Sequence, residues 1–328
     1  MPDHVIKKTF LICPLIICKT ENTLMNTQSF AAGNPKPTPG GNRAFSRQTK
    51  PYLFLLPIFL FAIGFIYYPF IKTVIYSFSS VNFKGQVNGY VGLDNFLYLF
   101  SRRDFKTAFS NSLLLTAINV PATIIITISL ALIANKKRAI SPVYETLFTL
   151  PMAISMSAAA MIFKVLLNPT VGYLNHFLGI NVGWYESKAY ALYGVLMLTI
   201  WMGIGFDFLL FLSAIRAVPD QLIESATLDG ANAFTRFFLI QLPLITPTLL
   251  YVALTNMVLA MMTSGPIIIL TQGGPARSTT TLIYMMYSSG YGSSNYSLSA
   301  CISIITFALT FFLTLLAFTV ERKAVHYQ

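Results

Sequence analysis

The side chains of this chain that could do chemistry are few and far apart. His4, His176 and His326 all lie outside the long apolar runs, so none can join a serine or a metal inside one. Cys13, Cys18 and Cys301 have neither the number of a disulfide framework nor the spacing of a metal site. No Gly-x4-Gly-Lys-Ser/Thr sequence occurs, so no nucleotide-cradling loop of that type is present. What stands out is acidic. Asp207 sits within an apolar run, and Glu224 and Asp229 lie in a short polar stretch that closes on Gly230. Carboxylates in such a stretch accept charge-assisted hydrogen bonds, roughly twice as strong as neutral ones, from whatever covers them.

The elements that must position these groups follow from composition. The chain has 328 residues, 55% of them hydrophobic and only 10% charged, with a mean hydropathy of +0.65. Soluble domains average about 45–50% apolar and about 25% charged residues. These figures exclude a soluble globule, a disordered chain and a nucleic-acid binder, in spite of the net charge of +11. A membrane-crossing helix needs roughly 20 mostly apolar residues. Six stretches qualify: Tyr52–Phe78, Ser112–Ala134, Thr146–Leu167, Ala189–Ile215, Leu244–Leu270 and Ser299–Val320. They are apolar all round, without the two-residue alternation of a membrane barrel. The expected fold is all-α, a polytopic membrane protein of six transmembrane helices over residues 51–328. Thr9–Cys18 is apolar but too short to cross, and residues 1–50 read as a flexible cytoplasmic tail.

Lys and Arg concentrate in the loops on the cytoplasmic side of a membrane. With the N-terminus inside, fourteen of the 22 fall on that side and six outside, with Lys72 and Lys164 within spans. Both termini are then expected in the cytoplasm, as is the loop Arg216–Pro243 between spans four and five.

That loop reads as helix, tight turn, helix. Pro219 suits helix entry, Asp220 an early helical position, and Gly230 the left-handed conformation that stops a helix. Beyond it Ala233, Phe237 and Ile240 fall on one helical face. Asp229 can serve as a helix cap or as a contact to a partner. A partly apolar helical pair of this kind packs on its own membrane domain or needs a partner to cover it.

Glu224, Ala226, Asp229, Gly230, Ala231, Phe237, Ile240, Leu242 and Pro243 resemble the EAA signature of ABC-importer permeases; Ser225 stands where that family often has Ala. Segments outside the loop resemble its carbohydrate-uptake branch. These are Tyr90-Val91-Gly92-Leu93-Asp94-Asn95-Phe96, Asn168-Pro169 with Gly172 and Asn175, and Leu270-Thr271-Gln272-Gly273-Gly274-Pro275 followed by Thr279-Thr280-Thr281. The resemblance covers about residues 52–328 and includes subunits for maltose-type oligosaccharides and for glycerol 3-phosphate. It implies a type I ABC importer permease fold in the bacterial cytoplasmic (inner) membrane. In that reading Glu224, Ser225, Ala226, Asp229, Gly230 and Ala231 form a coupling helix docked on an ATPase. The implied partners are a second homologous permease in a heterodimer, two cytoplasmic ATPase subunits that bind ATP and Mg, and an extracytoplasmic solute-binding protein. The chain itself is then no enzyme and holds no cofactor or metal; its surroundings are the lipid bilayer, not nucleic acid.

A solute pathway needs polar groups inside the spans, where they are costly. Asp207 is one, in a pathway or in a structural hydrogen bond. Trp201, Gly203 and Phe206 in span four and Asn256, Thr263 and Ser264 in span five have the types a sugar requires, and Asn256 and Thr263 are seven apart, on one helical face. In the resemblance Gly203, Phe206, Asn256 and Thr263 match pathway positions by their distance from the signature loop. Trp201 and Phe206 equally suit packing against lipid or helices. An ion-driven secondary transporter is the rival reading. It predicts paired intramembrane carboxylates, and only Asp207 is available.

Overall fold

A computed structural model describes residues 54–136 and 141–324. The tail expected over residues 1–50 lies outside the described residues. By internal contacts the chain falls into two units, Met1–Phe59 and Leu60–Gln328; of the first, residues 54–59 are described and are helical.

The long apolar runs become helices because a helix satisfies its own backbone groups where no water is available. Among the described residues four helices are long and apolar enough to cross a membrane: α1 (Phe54–Ser77), α3 (Arg103–Asn135), α7 (Ala191–Arg216) and α13 (Tyr296–Thr319, with the helix running on to Ala324). Up to six crossings result if two bent helix pairs are each counted as one. A buried share of 33% and 44% in the apolar windows of α3 and α7, against 17% in that of α13, puts α3 and α7 at the centre of the bundle. Between α1 and α3 lie a short antiparallel hairpin, β1 (Ser79–Val81) and β2 (Val87–Tyr90), paired Ser79 to Tyr90 and Ser80 to Gly89, and the helix α2 (Asp94–Ser101). Asn95 holds this junction by donating from Nδ2 to the Ser77 and Ser79 carbonyls, each at 3.0 Å.

The third and fifth apolar runs are not the single helices that their hydropathy predicts. The third is α4 (Ser141–Ala153) and α5 (Met156–Leu166), bent by 103°. Pro151 lacks the N–H that would continue the ladder, and Ser155, in extended conformation, caps α5 through Oγ, which accepts from the Ala158 amide at 3.3 Å. After it come α6 (Tyr173–Leu178) and the loop to α7. The fifth run is entered through α8 (Asp220–Leu228) and α9 (Ala233–Leu244), then bends by 72° into α10 (Thr246–Met261). It stops at Met261, ahead of a separate short helix α11 (Gly265–Leu270) with Pro266 in its first turn. Thr263 and Ser264 therefore lie beyond the end of α10, not on one helical face with Asn256. The last short helix is α12 (Leu282–Tyr287).

Among the described residues buried side chains form three apolar clusters. One, with Phe208, Phe211, Ile215, Val218 and Ile245, sits where α7 runs into α8. A second joins α5, α7 and α11 through Phe163, Leu167, Leu198 and Ile267. A third joins the start of α3 to α12 and α13 through Phe105, Leu282 and Ile302.

Candidate functional site

Two places hold the residues expected to act. The first is the loop at the C-terminal end of α7. Pro219 stands at the cap position before α8, and Asp220 is in the first turn, where its charge faces the positive end of the helix dipole. The helix ends as its sequence dictates. Gly230 has φ of +81°, the Ala231 amide donates to the Ala226 carbonyl at 2.9 Å, and the Gly230 amide to the Thr227 carbonyl at 3.1 Å. This pair of bonds is the glycine-dependent Schellman stop. A side chain at position 230 would meet nothing within 4 Å, so the requirement for glycine is conformational, not steric.

Asp229 occupies the C-cap of α8. The side-chain cap of the following helix is Asn232, whose Oδ1 accepts from the Thr235 amide at 2.8 Å and hydroxyl at 3.0 Å. The Arg236 guanidinium donates to the Thr227 hydroxyl, tying α9 back to α8.

The pair has two faces. Ala226 is buried, and Ile223 and Phe237 pack on the cluster of Ile215, Val218 and Ile245. Glu224, Ser225, Asp229 and Gly230 are exposed, beside Leu228 at 89% and Phe234 at 76% exposure. Ala231 is half-buried. The stripe expected from Ala233, Phe237 and Ile240 does not form. Residues Phe237–Gln241 make a π turn that alters the helical spacing, and Ala233 is exposed. Phe237, Leu242 and Leu244 make the inward contact instead.

The second place is the meeting of α3, α7 and α10. Asn256 Nδ2 donates to Asp207 Oδ2 at 2.6 Å and to the Val252 carbonyl at 3.0 Å, and both side chains are buried. Gly203, one turn before Asp207, lets the helices close: a Cβ there would lie 3.1 Å from Thr123 Cγ2 and 3.6 Å from Asn256 Oδ1. The buried Thr123 hydroxyl has no hydrogen-bond partner among the described residues. One turn further along, Asn119 Nδ2 donates to the Thr199 hydroxyl at 2.8 Å. The result is a ladder of polar groups through an otherwise apolar bundle. Asn119, Thr123 and Thr199 escaped the sequence reading, although their spacing (119, 123 and 127 on α3; 199, 203 and 207 on α7) is the four-residue repeat of one helical face.

The other expected pathway residues stand apart from this ladder. Trp201 packs on Phe163, ring centroids 5.5 Å apart, at the edge of an apolar cluster. Phe206 is exposed. Thr263 donates to the Leu259 carbonyl at 3.0 Å, and Ser264 lies between α10 and α11. Among the described residues no three His, Cys, Asp or Glu side chains converge to hold a metal ion.

The arrangement offers a polar seam within the bundle and, at one end, a small-residue and acidic surface open to a partner. Comparison with known proteins gives the family and the fold. A family model described as binding-protein-dependent transport system inner membrane component matches residues 123–326. The sn-glycerol-3-phosphate transport system permease protein UgpA of Yersinia enterocolitica is 32% identical over 288 residues, covering 87% of this chain and 98% of that one. The protein of the same name from Pectobacterium atrosepticum is 33% identical over the same shares. Among solved structures, a bacterial alginate ABC transporter, determined with an alginate pentasaccharide-bound periplasmic protein, superposes with a TM-score of 0.74 at 25% identity, over 86% of this chain and 96% of its counterpart. The methionine ABC transporter MetNI in an inward-facing conformation shares the fold alone, with a TM-score of 0.52 at 14% identity over 71% of this chain and 99% of that one. The chain belongs to the family of binding-protein-dependent transport system inner membrane components and is a multi-pass permease of the ABC importer class.

Proposed function

We propose that this permease carries a sugar, an oligosaccharide or a sugar-phosphate-like solute such as glycerol 3-phosphate, handed to it by a solute-binding protein and moved by alternating access. The observation that carries the reading is the two-faced loop of α8 and α9. Ala226, Ile223 and Phe237 fix it to the bundle, while Glu224, Ser225, Asp229 and Gly230 stay exposed beside Leu228 and Phe234. Exposed large apolar groups rimmed by polar ones mark an interaction surface, and small residues let a second backbone come close. The occupant is an ATPase subunit that binds ATP and Mg and whose closure moves α8. The excess of Lys and Arg supports placing this loop and both termini on the cytoplasmic side. A second permease chain, different from this one, completes the membrane domain.

The carbohydrate class is supported by the glycerol 3-phosphate and alginate named for the relatives. Within the bundle, Asp207 and Asn256 are satisfied by one another. They serve the solute by keeping α7 and α10 in register, and Gly203 leaves the seam narrow. Among the described residues the rival ion-driven mechanism has one buried carboxylate to work with, already taken by Asn256.

Ser225→Trp adds bulk at an exposed position whose side chain gives up one exposed hydrogen bond, to the Leu222 carbonyl of its own helix at 3.2 Å. In the complex purified with its ATPase subunits it is expected to reduce ATPase retention and, in cells, uptake of labelled sn-glycerol 3-phosphate and of oligosaccharide alike. Full retention together with unchanged uptake would exclude the coupling surface.

A further inference from the structure

The helix α4 lies along α7, held at three points. Near the loop end, Arg216 Nη2 donates to Glu145 Oε1 at 2.6 Å. One turn on, Phe148 meets the fully buried Phe208 edge to face, centroids 5.3 Å apart. A further turn on, Gly205 allows backbone to touch backbone, since a Cβ there would lie 2.9 Å from the Met152 amide nitrogen and 3.2 Å from the Thr149 carbonyl oxygen.

The second and third contacts meet the buried Phe208 and Gly205 of α7 and are apolar or backbone in kind. The first is different. Its side chains are 36% and 31% exposed, and an ion pair so open to solvent adds little stability. Its value is its position. Arg216 is the last residue of α7, and α8 begins at Asp220. Glu145 stands in the first turns of α4, whose far end, Ala153, precedes the 103° break into α5. Near that break, Met152 touches α7 at Gly205, two residues from Asp207. Beyond it, α5 packs on α11, and the loop that follows α11 carries Gln272 to Pro275.

We propose that the Glu145–Arg216 pair is a positioning strut that makes α4 follow the coupling helix, so that displacement of α8 reaches the break in the third apolar run. The proposal rests on the coupling reading above and names the residues that pass the motion on. The charge pair is directional, so it biases the register of α4 against the α7–α8 junction while the contacts at Phe208 and Gly205 act as the fulcrum. A bundle lacking it still assembles, and its α4 no longer tracks α8.

The test uses the full chain in complex with its ATPase subunits, with Cys13, Cys18 and Cys301 replaced. Nitroxide labels are placed at Val143→Cys on α4, Gln221→Cys on α8 and Tyr90→Cys on the hairpin, and distances are read without nucleotide and with ADP·vanadate trapped. With the native pair, the 143–221 distance is expected to stay constant while the 90–221 distance shifts. In Glu145→Gln and in Arg216→Gln, the 143–221 distance is expected to shift or broaden with nucleotide, and the exchange Glu145→Arg with Arg216→Glu restores it. Neutral variants that track like the native pair, or a 143–221 distance that already shifts in the native pair, would overturn the strut. No nucleotide-driven shift of 90–221 at all would instead overturn the coupling reading beneath it. A merely stabilising ion pair changes yield and melting, and leaves these distances in place.

Discussion

The loops on either side of the fifth apolar run are built in opposite ways. The one before it, α8 and α9, leaves Leu228 and Phe234 in the open and buries only Ala226 of its signature residues. The one after it is closed on itself. Thr271 and Thr279 share a hydrogen bond at 2.7 Å, Thr279 donates to the Gly274 carbonyl at 2.9 Å, Thr280 to the Gly273 carbonyl at 3.0 Å, and the Tyr284 hydroxyl to the Gln272 carbonyl at 2.7 Å. Asn111 of α3 adds a bond to the Thr280 carbonyl at 3.0 Å. These loops lie at opposite ends of α7: one continues from Arg216, and the other lines a cavity with Lys188 and Ala189, just before its start. At about 1.5 Å per residue, 26 residues separate them by about 39 Å. A loop that pairs most of its polar groups with its own backbone, with the Ser278 hydroxyl the exception among the described residues, is close to a finished structure. A loop that displays leucine and phenylalanine beside two carboxylates is, on the reading proposed above, half of an interface.

The sharpest way to break this contrast is at Gly230. A β-branched residue there must hold φ near +81° or abandon the Schellman stop, at a cost of about 1–2 kcal/mol for any L-residue and more for valine. Gly230→Val is therefore expected to weaken ATPase association about tenfold or more in a pull-down titration, while the melting of the membrane domain changes little. A smaller effect is expected at the closed loop. Thr280→Val leaves the buried Gly273 carbonyl without its donor, worth about 1–3 kcal/mol. Thermal melting of the purified complex should fall by a few degrees with ATPase association unchanged. If Thr280→Val released the ATPase and Gly230→Val did not, the assignment of the two loops would be reversed.

The parts of the fold legible in the sequence were those carried by local patterns. Apolar runs gave α1, α3, α7 and α13, and Pro219, Asp220 and Gly230 gave the limits of α8 because each acts on its own backbone. The break at Ser155 was missed, since a hydropathy window averages across Pro151 without registering the missing N–H, and so was the end of α10 at Met261; the bend at Ile245 falls beside Pro243, where the fifth span was expected to begin. The hairpin at Ser79–Tyr90 is too short to show an alternation. Asp207 and Asn256 were legible as costly polar residues within spans, but their contact joins positions 49 apart and needs the fold to bring them together. The same holds for Glu145 and Arg216, 71 apart. Thr263 was misplaced for a simple reason: a seven-residue spacing indicates a shared face only while the helix lasts, and α10 ends at Met261.

The most direct test of the central claim is photo-cross-linking from Leu228, exchanged for a benzophenone-bearing residue, in the complex as it assembles in the membrane. An adduct with an ATPase subunit, altered in yield when ATP is bound, is the predicted result. Adducts confined to lipid or to this chain itself, in a complex that still transports, would contradict it.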